Sequence, residues 1–267
     1  MQTRNRLEIK EPPLNLSDPN QRRVFFELHT DLPREGPGNR DSTTRALRLM
    51  GTLPDQPLLV DIACGPGAQT LDLAQLLPDA RIVATDAHKP YLDELNRRIE
   101  ATGAGNRIET RLADMRALPF QPNSIDVMWC EGAAYIVGVP DALAAWAPLL
   151  KPGGRIALTE PVWLRPDPPE VVRRNWEEYP AMTDVPACRA IVARAGLKLL
   201  GDFVLPEAAW WDHYYAPLKA RTQLLRKKYP DDAAAATVLQ SAEGEVAAYR
   251  DYSTYFGYQF FVMAKPA

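Results

Sequence analysis

The segment from Leu58 to Thr70 constrains the fold more than any other part of the chain. It opens with a short apolar run, which is typical of a buried parallel strand. A Gly65-Pro66-Gly67 turn follows, and from Ala68 onward the apolar residues recur with helical spacing. Because glycine has no Cβ, such a turn lets ligand atoms approach the backbone closely. The segment therefore predicts a strand, a turn and a helix that together hold a nucleotide-like ligand, with a plain strand-to-helix turn as the alternative.

Two common nucleotide motifs do not match this segment. The dinucleotide fingerprint requires a third glycine where this chain has Thr70. No Lys-Ser or Lys-Thr pair follows the glycines, which excludes a phosphate-binding P-loop.

The pattern of Asp61, Gly65 and Gly67 instead resembles motif I of the class I S-adenosylmethionine-dependent methyltransferases, in which x-x-x-Gly-x-Gly follows an acidic residue. Ala63 stands where that family frequently has a first glycine. The resemblance implies that this turn, Ala63 included, lies against the methionyl part of the cofactor.

Three later segments strengthen the resemblance. Asp86 ends a second predicted strand and follows Gly67 by 19 residues, close to the ~20 expected for a ribose-binding acid. Asp114-Met115 follows a third predicted strand, and Leu-Lys-Pro-Gly-Gly, ending at Gly154, precedes a fifth. The resemblance assigns Asp86 and the adjoining Ala87 to the ribose, Asp114 to the adenine amine and Met115 to the adenine ring. A helix N-cap is the alternative for Asp86, and the Lys-Pro-Gly-Gly turn serves only to stop a helix.

Several residues are candidates for binding the methyl acceptor. Ligands of open α/β sheets bind at the carboxyl ends of the strands, and Glu131 directly follows the fourth predicted strand. We expect Glu131 to contact cofactor or substrate, with a structural ion pair as the alternative. Glu160 and His213 are two further candidates for a general base, although a lone histidine is more often structural. The predicted substrate contacts, which could equally be packing residues, are Tyr135, Trp163, Tyr214 and Tyr215.

The chain divides into three predicted parts. Residues 1–50 form an N-terminal helical cover, with an irregular tail over residues 1–20. Residues 51–205 and 257–267 form a Rossmann-like α/β core, whose seven-stranded, mostly parallel sheet has helices on both faces. Residues 206–256 form a helical insertion between the last two strands, which we expect to act as a lid. Arg34, in the cover, either pairs with the methionyl carboxylate of the cofactor or is a solvated loop arginine beside Glu35.

Charge and composition limit the kinds of molecule that the protein is expected to bind. The 267 residues carry a net charge of −3, so no general electrostatic attraction to nucleic acid or to an anionic membrane is expected. The first residues are polar and no apolar run could span a bilayer. The three cysteines lack metal-ligand spacing. We expect a cytoplasmic protein without a structural metal. A homodimer is one alternative for its oligomeric state.

These observations predict an enzyme that transfers a methyl group from S-adenosylmethionine to nitrogen, oxygen or sulfur of a small molecule by in-line displacement, leaving S-adenosylhomocysteine. A methyltransferase acting on protein or nucleic acid is one alternative. A non-catalytic S-adenosylmethionine-binding module is another, because the matched motifs concern the cofactor alone.

Overall fold

The computed structural model of the protein describes residues 14–103, 105–174 and 176–267. Most of the irregular tail predicted over residues 1–20 lies outside the described residues, and Asp18 caps a helix that begins at Pro19. The strands are β1 Leu58–Ile62, β2 Arg81–Asp86, β3 Ile108–Leu112, β4 Ile125–Cys130, β5 Leu150–Trp163, β6 Thr183–Asp184, β7 Lys198–Val204 and β8 Phe256–Ala264. The helices are α1 Pro19–His29, α2 Arg40–Met50, α3 Ala68–Leu76, α4 Lys89–Thr102, α5 Val139–Trp146, α6 Glu170–Arg174, α7 Val185–Arg194, α8 Glu207–Trp210, α9 Ala216–Lys228 and α10 Ala233–Tyr252.

Seven strands form one sheet in the order β3-β2-β1-β4-β5-β8-β7. The five strands from β3 to β5 run parallel, whereas β8 is antiparallel to both β5 and β7. This arrangement confirms the predicted α/β class and the mostly parallel sheet. The two-residue strand β6 adds a short pairing to β5 that was not predicted, since so short a segment has no readable periodicity.

The centre of the sheet is apolar on both faces. All six residues of β4 are buried, as are four of the five in β1, because helices cover both sides of these parallel strands. Strand β5 is longer than the fifth strand that was predicted to follow Gly154: it begins at Leu150 and runs to Trp163, which pairs with Phe256 of β8. The extension carries the end of β5 towards the helices that follow β7.

The helices α8, α9 and α10 occupy the predicted insertion, and α9 and α10 pack on α1 near the other end of the chain. The Glu27 carboxylate of α1 accepts hydrogen bonds from Lys228 (2.6 Å) and Tyr229 (2.8 Å), and Arg221 donates to the Glu27 carbonyl oxygen at 2.7 Å. Trp210 stacks on Tyr249 with ring centroids 4.1 Å apart. The N-terminal helix and the insertion thus form one continuous layer.

In the described part of the chain, no helix combines the length and the apolar character needed to cross a membrane.

Candidate functional site

A cavity of about 560 Å³ opens at the carboxyl ends of the parallel strands. Its walls come from α1, from the loop before α2, and from the segments that follow β1, β2, β3 and β4. This is the edge where open α/β sheets bind their ligands, because the strand-to-helix loops converge there. Predicted site residues that the fold brings to this cavity are Arg34, Ala63, Gly65, Asp86, Ala87, Asp114, Met115, Glu131 and Tyr135.

The glycine turn after β1 forms the floor of the cavity. Gly65 has φ +54° and lines the cavity, and Gly67 has φ +86°. A Cβ added at Gly67 would overlap the Leu95 side chain of α4. Gly65 thus presents backbone to a ligand, whereas Gly67, which is not among the lining residues, lets two helices approach each other.

Asp61 lies beneath the turn rather than in the cavity wall. Its side chain is fully buried, and Thr70 of α3 donates a 2.5 Å hydrogen bond to Asp61 Oδ2. Burial raises the pKa of this carboxyl to about 7. Asp61 therefore connects β1 to α3 and acts as a positioning residue.

Asp86 at the end of β2 faces the cavity. The Gly65 N–H donates to Asp86 Oδ2 at 2.9 Å, and the His88 N–H donates to Oδ1 at 2.7 Å. Burial raises the pKa of Asp86, while these two donors oppose that effect. Each carboxylate oxygen keeps a lone pair, so Asp86 can also accept the two hydroxyl protons of a ribose.

Arg34 and Glu131 form a buried ion pair in the cavity wall. Arg34 Nη1 donates to Glu131 Oε2 at 2.7 Å, and the two side chains are only 5% and 4% exposed. Trp129 Nε1 donates to Glu131 Oε1, also at 2.7 Å. The structure therefore shows the ion pair that was the alternative for Glu131, with a hydrogen-bond donor on each carboxylate oxygen.

The second terminal nitrogen of Arg34 remains open to a ligand. Arg34 Nη2 is buried without a hydrogen-bond partner, although Asp72 Oδ2 lies 3.5 Å away. A buried guanidinium N–H that lacks an acceptor is costly, and a ligand carboxylate would supply one.

The predicted adenine segment borders the outer part of the cavity. Asp114 accepts from the backbone N–H and the guanidinium of Arg116, and the Met115 carbonyl accepts from Trp146 Nε1 at 2.8 Å. These bonds fix the segment where a flat base would lie.

Further aromatic and acidic groups reach the cavity from α1, from the loop that follows it and from the start of α4. Phe26 stacks on His88 with ring centroids 4.0 Å apart and an interplanar angle of 8°. Glu35 Oε2 lies 2.6 Å from His29 Nδ1 and accepts from the Tyr91 hydroxyl at 2.8 Å. In the sequence, the cluster of aromatic residues and a histidine in α1 indicated only that this helix packs on another part of the protein. It did not indicate which side chains these residues would contact.

Other predicted site residues do not line this cavity. His213 is exposed, in a π-helical turn over Trp211–Tyr215. Trp163 donates to the Met182 carbonyl oxygen at 3.2 Å, and Tyr214 and Tyr215 are buried in the insertion. Glu160 is 2% exposed and accepts a 2.5 Å hydrogen bond from the Tyr179 hydroxyl.

The cavity fits S-adenosylmethionine. It offers a glycine turn open to close approach, the Asp86 carboxylate, an Arg34 nitrogen that lacks a hydrogen bond and an ordered segment at Met115. Among the described residues, no group of His, Cys, Asp or Glu is arranged to hold a metal ion.

Comparison with known proteins agrees with this geometry. A family model described as a methyltransferase domain matches residues 59–154. Trans-aconitate 2-methyltransferase from Azoarcus sp. is 30% identical over 207 residues, which cover 73% of this chain and 72% of that protein. The chain belongs to the class I S-adenosylmethionine-dependent methyltransferases. S-adenosylmethionine is the cofactor of this family, as the sequence predicted.

This methyltransferase also resembles solved structures and other curated proteins. An S-adenosylmethionine-dependent methyltransferase from Geobacter sulfurreducens, crystallised with S-adenosyl-L-homocysteine, superimposes with a TM-score of 0.78 at 22% identity, covering 90% of this chain and 97% of that one. Demethylmenaquinone methyltransferase from Symbiobacterium thermophilum is 33% identical over 38% of this chain. The chain spans half or less of the length of several curated relatives, 49% of a Streptomyces fradiae protein and 41% of the Symbiobacterium enzyme.

Proposed function

We propose that this methyltransferase transfers the methyl group of S-adenosylmethionine to nitrogen, oxygen or sulfur of a small molecule. The observation that carries the proposal is the covered cavity, whose floor is the glycine turn and whose outer wall is α1. Two relatives are named for small acceptors, trans-aconitate and demethylmenaquinone. In this proposal residues 1–50 cover the site, residues 51–205 and 257–267 form the catalytic core, and residues 206–256 form the lid.

The cofactor contacts follow from the cavity wall. Asp86 would accept the ribose hydroxyls, and Arg34 Nη2 would donate to the methionyl carboxylate. Met115 and Asp114 would hold the adenine. When bound, S-adenosylmethionine supplies a methyl group that is electrophilic because it is attached to a sulfonium.

The remaining task of the protein is to position the acceptor. The acceptor atom must lie in line with the methyl group at roughly 3 Å, and water must be excluded. The layer formed by α1 and the insertion can perform both functions. A neutral amine or a thiolate needs little further activation, whereas a hydroxyl needs a base that removes its proton. Both oxygens of Glu131 already accept hydrogen bonds, from Arg34 and Trp129, whereas Glu160 has one oxygen without a donor, so Glu160 is the candidate base in this proposal.

The covered site argues against a macromolecular acceptor. A protein or nucleic-acid substrate would have to displace α1, which Lys228, Tyr229 and Arg221 bind to the insertion. The net charge of −3 gives nucleic acid no general attraction.

Calorimetric titration with S-adenosylhomocysteine tests the proposal. We expect one molecule bound per chain, and no binding would overturn it. In a second arm, labelled S-adenosylmethionine is incubated with cell extract separated into small molecules, protein and RNA. Label in the small-molecule fraction supports the proposal, whereas label confined to protein or RNA favours the macromolecular alternative. Tight binding without any label would indicate a non-catalytic module.

A further inference from the structure

A second group of polar side chains lies behind the cofactor cavity, between the sheet and the insertion. Five tyrosines form it, and we call it the tyrosine recess: Tyr135, Tyr179, Tyr214, Tyr215 and Tyr258. Two carboxyl groups belong to the same recess, Glu160 from β5 and Glu245 from α10.

The recess adjoins the cofactor cavity. Tyr135 lines that cavity and its ring centroid lies 5.5 Å from that of Tyr179. Gly132 also lines the cavity, and a Cβ at that position would be only 3.3 Å from Tyr258 Cε2. Tyr135 and Gly132 follow β4, where the fold places the acceptor next to the cofactor.

Glu160 is an incompletely paired acid in this recess. Its Oε1 accepts from the Tyr179 hydroxyl at 2.5 Å, whereas its Oε2 is buried without a hydrogen-bond partner. A buried carboxylate oxygen without a donor is costly, and this cost favours either protonation of the acid or a ligand that donates to it. Burial raises the pKa of Glu160 to about 8, and the Tyr179 hydrogen bond opposes that effect.

Glu245 borders the same space from the side of the insertion. It has exposed surface, yet surrounding protein raises its pKa by desolvation, and Tyr215 donates to its Oε1 at 3.2 Å. The electrostatic effect of His29, which lines the cofactor cavity, lowers the pKa of Glu245.

We propose that the methyl acceptor carries a protonated amine, which the tyrosine recess binds between Glu160 and Glu245. This inference rests on the proposed function, because it names the acceptor class for that same site. An ammonium supplies the donor that Glu160 Oε2 lacks and balances two acids for which the recess has no Lys or Arg hydrogen-bond partner among the described contacts. Tyrosine ring faces also attract a cation through their negative quadrupole. A neutral acceptor would leave Glu160 protonated, and an anionic acceptor would bring a charge of the same sign next to the two acids.

Three probes of matched shape test the proposal: benzylamine, benzyl alcohol and benzoate, each titrated into the protein saturated with S-adenosylhomocysteine. We expect benzylamine to bind at least about tenfold more tightly than benzyl alcohol, with benzoate weakest. Because Glu160 is largely protonated at neutral pH in the free recess, benzylamine binding should release protons. That release is measured from the dependence of the binding enthalpy on the ionisation enthalpy of the buffer.

Variants assign the effect to the two acids. Glu160→Gln and Glu245→Gln should each remove most of the preference for benzylamine, and Glu160→Gln should abolish the proton release. Glu243→Gln is the control, because Glu243 lies on the same helix but pairs with Arg226 at 2.7 Å on the surface. The wild-type comparison of the three probes stands even if a variant does not fold.

The outcomes separate the two proposals. Equal binding of benzylamine and benzyl alcohol, or a preference for benzoate, would overturn the amine class and leave the methyltransferase function intact. Failure of S-adenosylhomocysteine itself to bind would overturn the proposed function and this inference with it.

Discussion

Gly67 packs against Leu95 so closely that a Cβ at residue 67 would overlap the Leu95 side chain. Leu95 is a fully buried residue of α4. Gly67 is the last residue of the glycine turn and the N-cap of α3. The contact sets the distance between α3 and α4 and with it the shape of the turn below the cofactor cavity. The second glycine of the motif is therefore required by helix packing, while the first one contacts the ligand space.

We expect Gly67→Ala to weaken both folding and cofactor binding. The substitution combines the strain of φ +86° with an overlap in the core, which together should cost about 2 to 4 kcal/mol of unfolding free energy. Gly138→Ala is a matched control, since Gly138 has φ +85° but no atom near its Cβ position. Urea unfolding and S-adenosylhomocysteine titration measure the two effects, and equal losses in both variants would show that the contact with Leu95 is unimportant.

Arg34→Lys should lower the affinity for S-adenosylhomocysteine while keeping the charge that compensates Glu131. A lysine can donate to Glu131, but it has no second nitrogen in the position of Arg34 Nη2. Loss of a charge-assisted hydrogen bond, worth about 1.5 to 3 kcal/mol, predicts a dissociation constant that is roughly 10- to 100-fold larger. Arg40→Lys is the control, because Arg40 is an exposed neighbour that also contacts Asp72. Unchanged affinity of Arg34→Lys would remove Arg34 from the carboxylate site.

Asp86→Ala should weaken S-adenosylhomocysteine binding more than any other single change at the cavity. The variant removes the acceptor for two ribose hydroxyls and also frees the N–H groups of Gly65 and His88. Two lost hydrogen bonds to a charged group predict a loss of about 3 kcal/mol or more, roughly 100-fold in affinity. Asp114→Ala, at an exposed position with its own Arg116 partner, should have a smaller effect in the same titration.

Part of the cavity wall was predictable because it lies in short segments with local rules. The strand, glycine turn and helix around Gly65, and the acid at the end of β2, follow from periodicity and spacing within one βαβ unit. The structure places Asp86 against Gly65 through a single hydrogen bond, as that spacing requires.

The remainder of the site depends on contacts between distant parts of the chain. Phe26 meets His88 across 62 residues, and Tyr215 meets Glu245 across 30. No periodicity in the sequence encodes such pairs, because they depend on how α1 and the insertion pack on the sheet. The same limit explains why Glu131 was a candidate base: only the fold shows that Arg34, 97 residues away, binds it.

Glu160 should make the stability of the protein fall as pH rises through neutrality. Its pKa is raised from 4.5 to about 8 in the folded protein. Between those values the native state binds more protons than the unfolded state, so the free energy of unfolding decreases with increasing pH. The contribution is complete below about pH 4.5 and lost above about pH 8, and it amounts to at most on the order of 5 kcal/mol.

Glu160→Gln tests this dependence, because glutamine keeps an oxygen that can accept from Tyr179 but does not titrate. Urea unfolding between about pH 5 and pH 8 should give a shallower decline for the variant than for the wild type. Some decline should remain, since burial also raises the pKa of Asp61 to about 7. The titratable groups that interact with Glu160 have raised pKa values and stay protonated over this range: Tyr135, Tyr179, Tyr258, Cys130 and Cys188. Identical pH profiles in both proteins would show that Glu160 is ionised throughout, and an acid already charged in the empty recess would bind an amine without releasing protons.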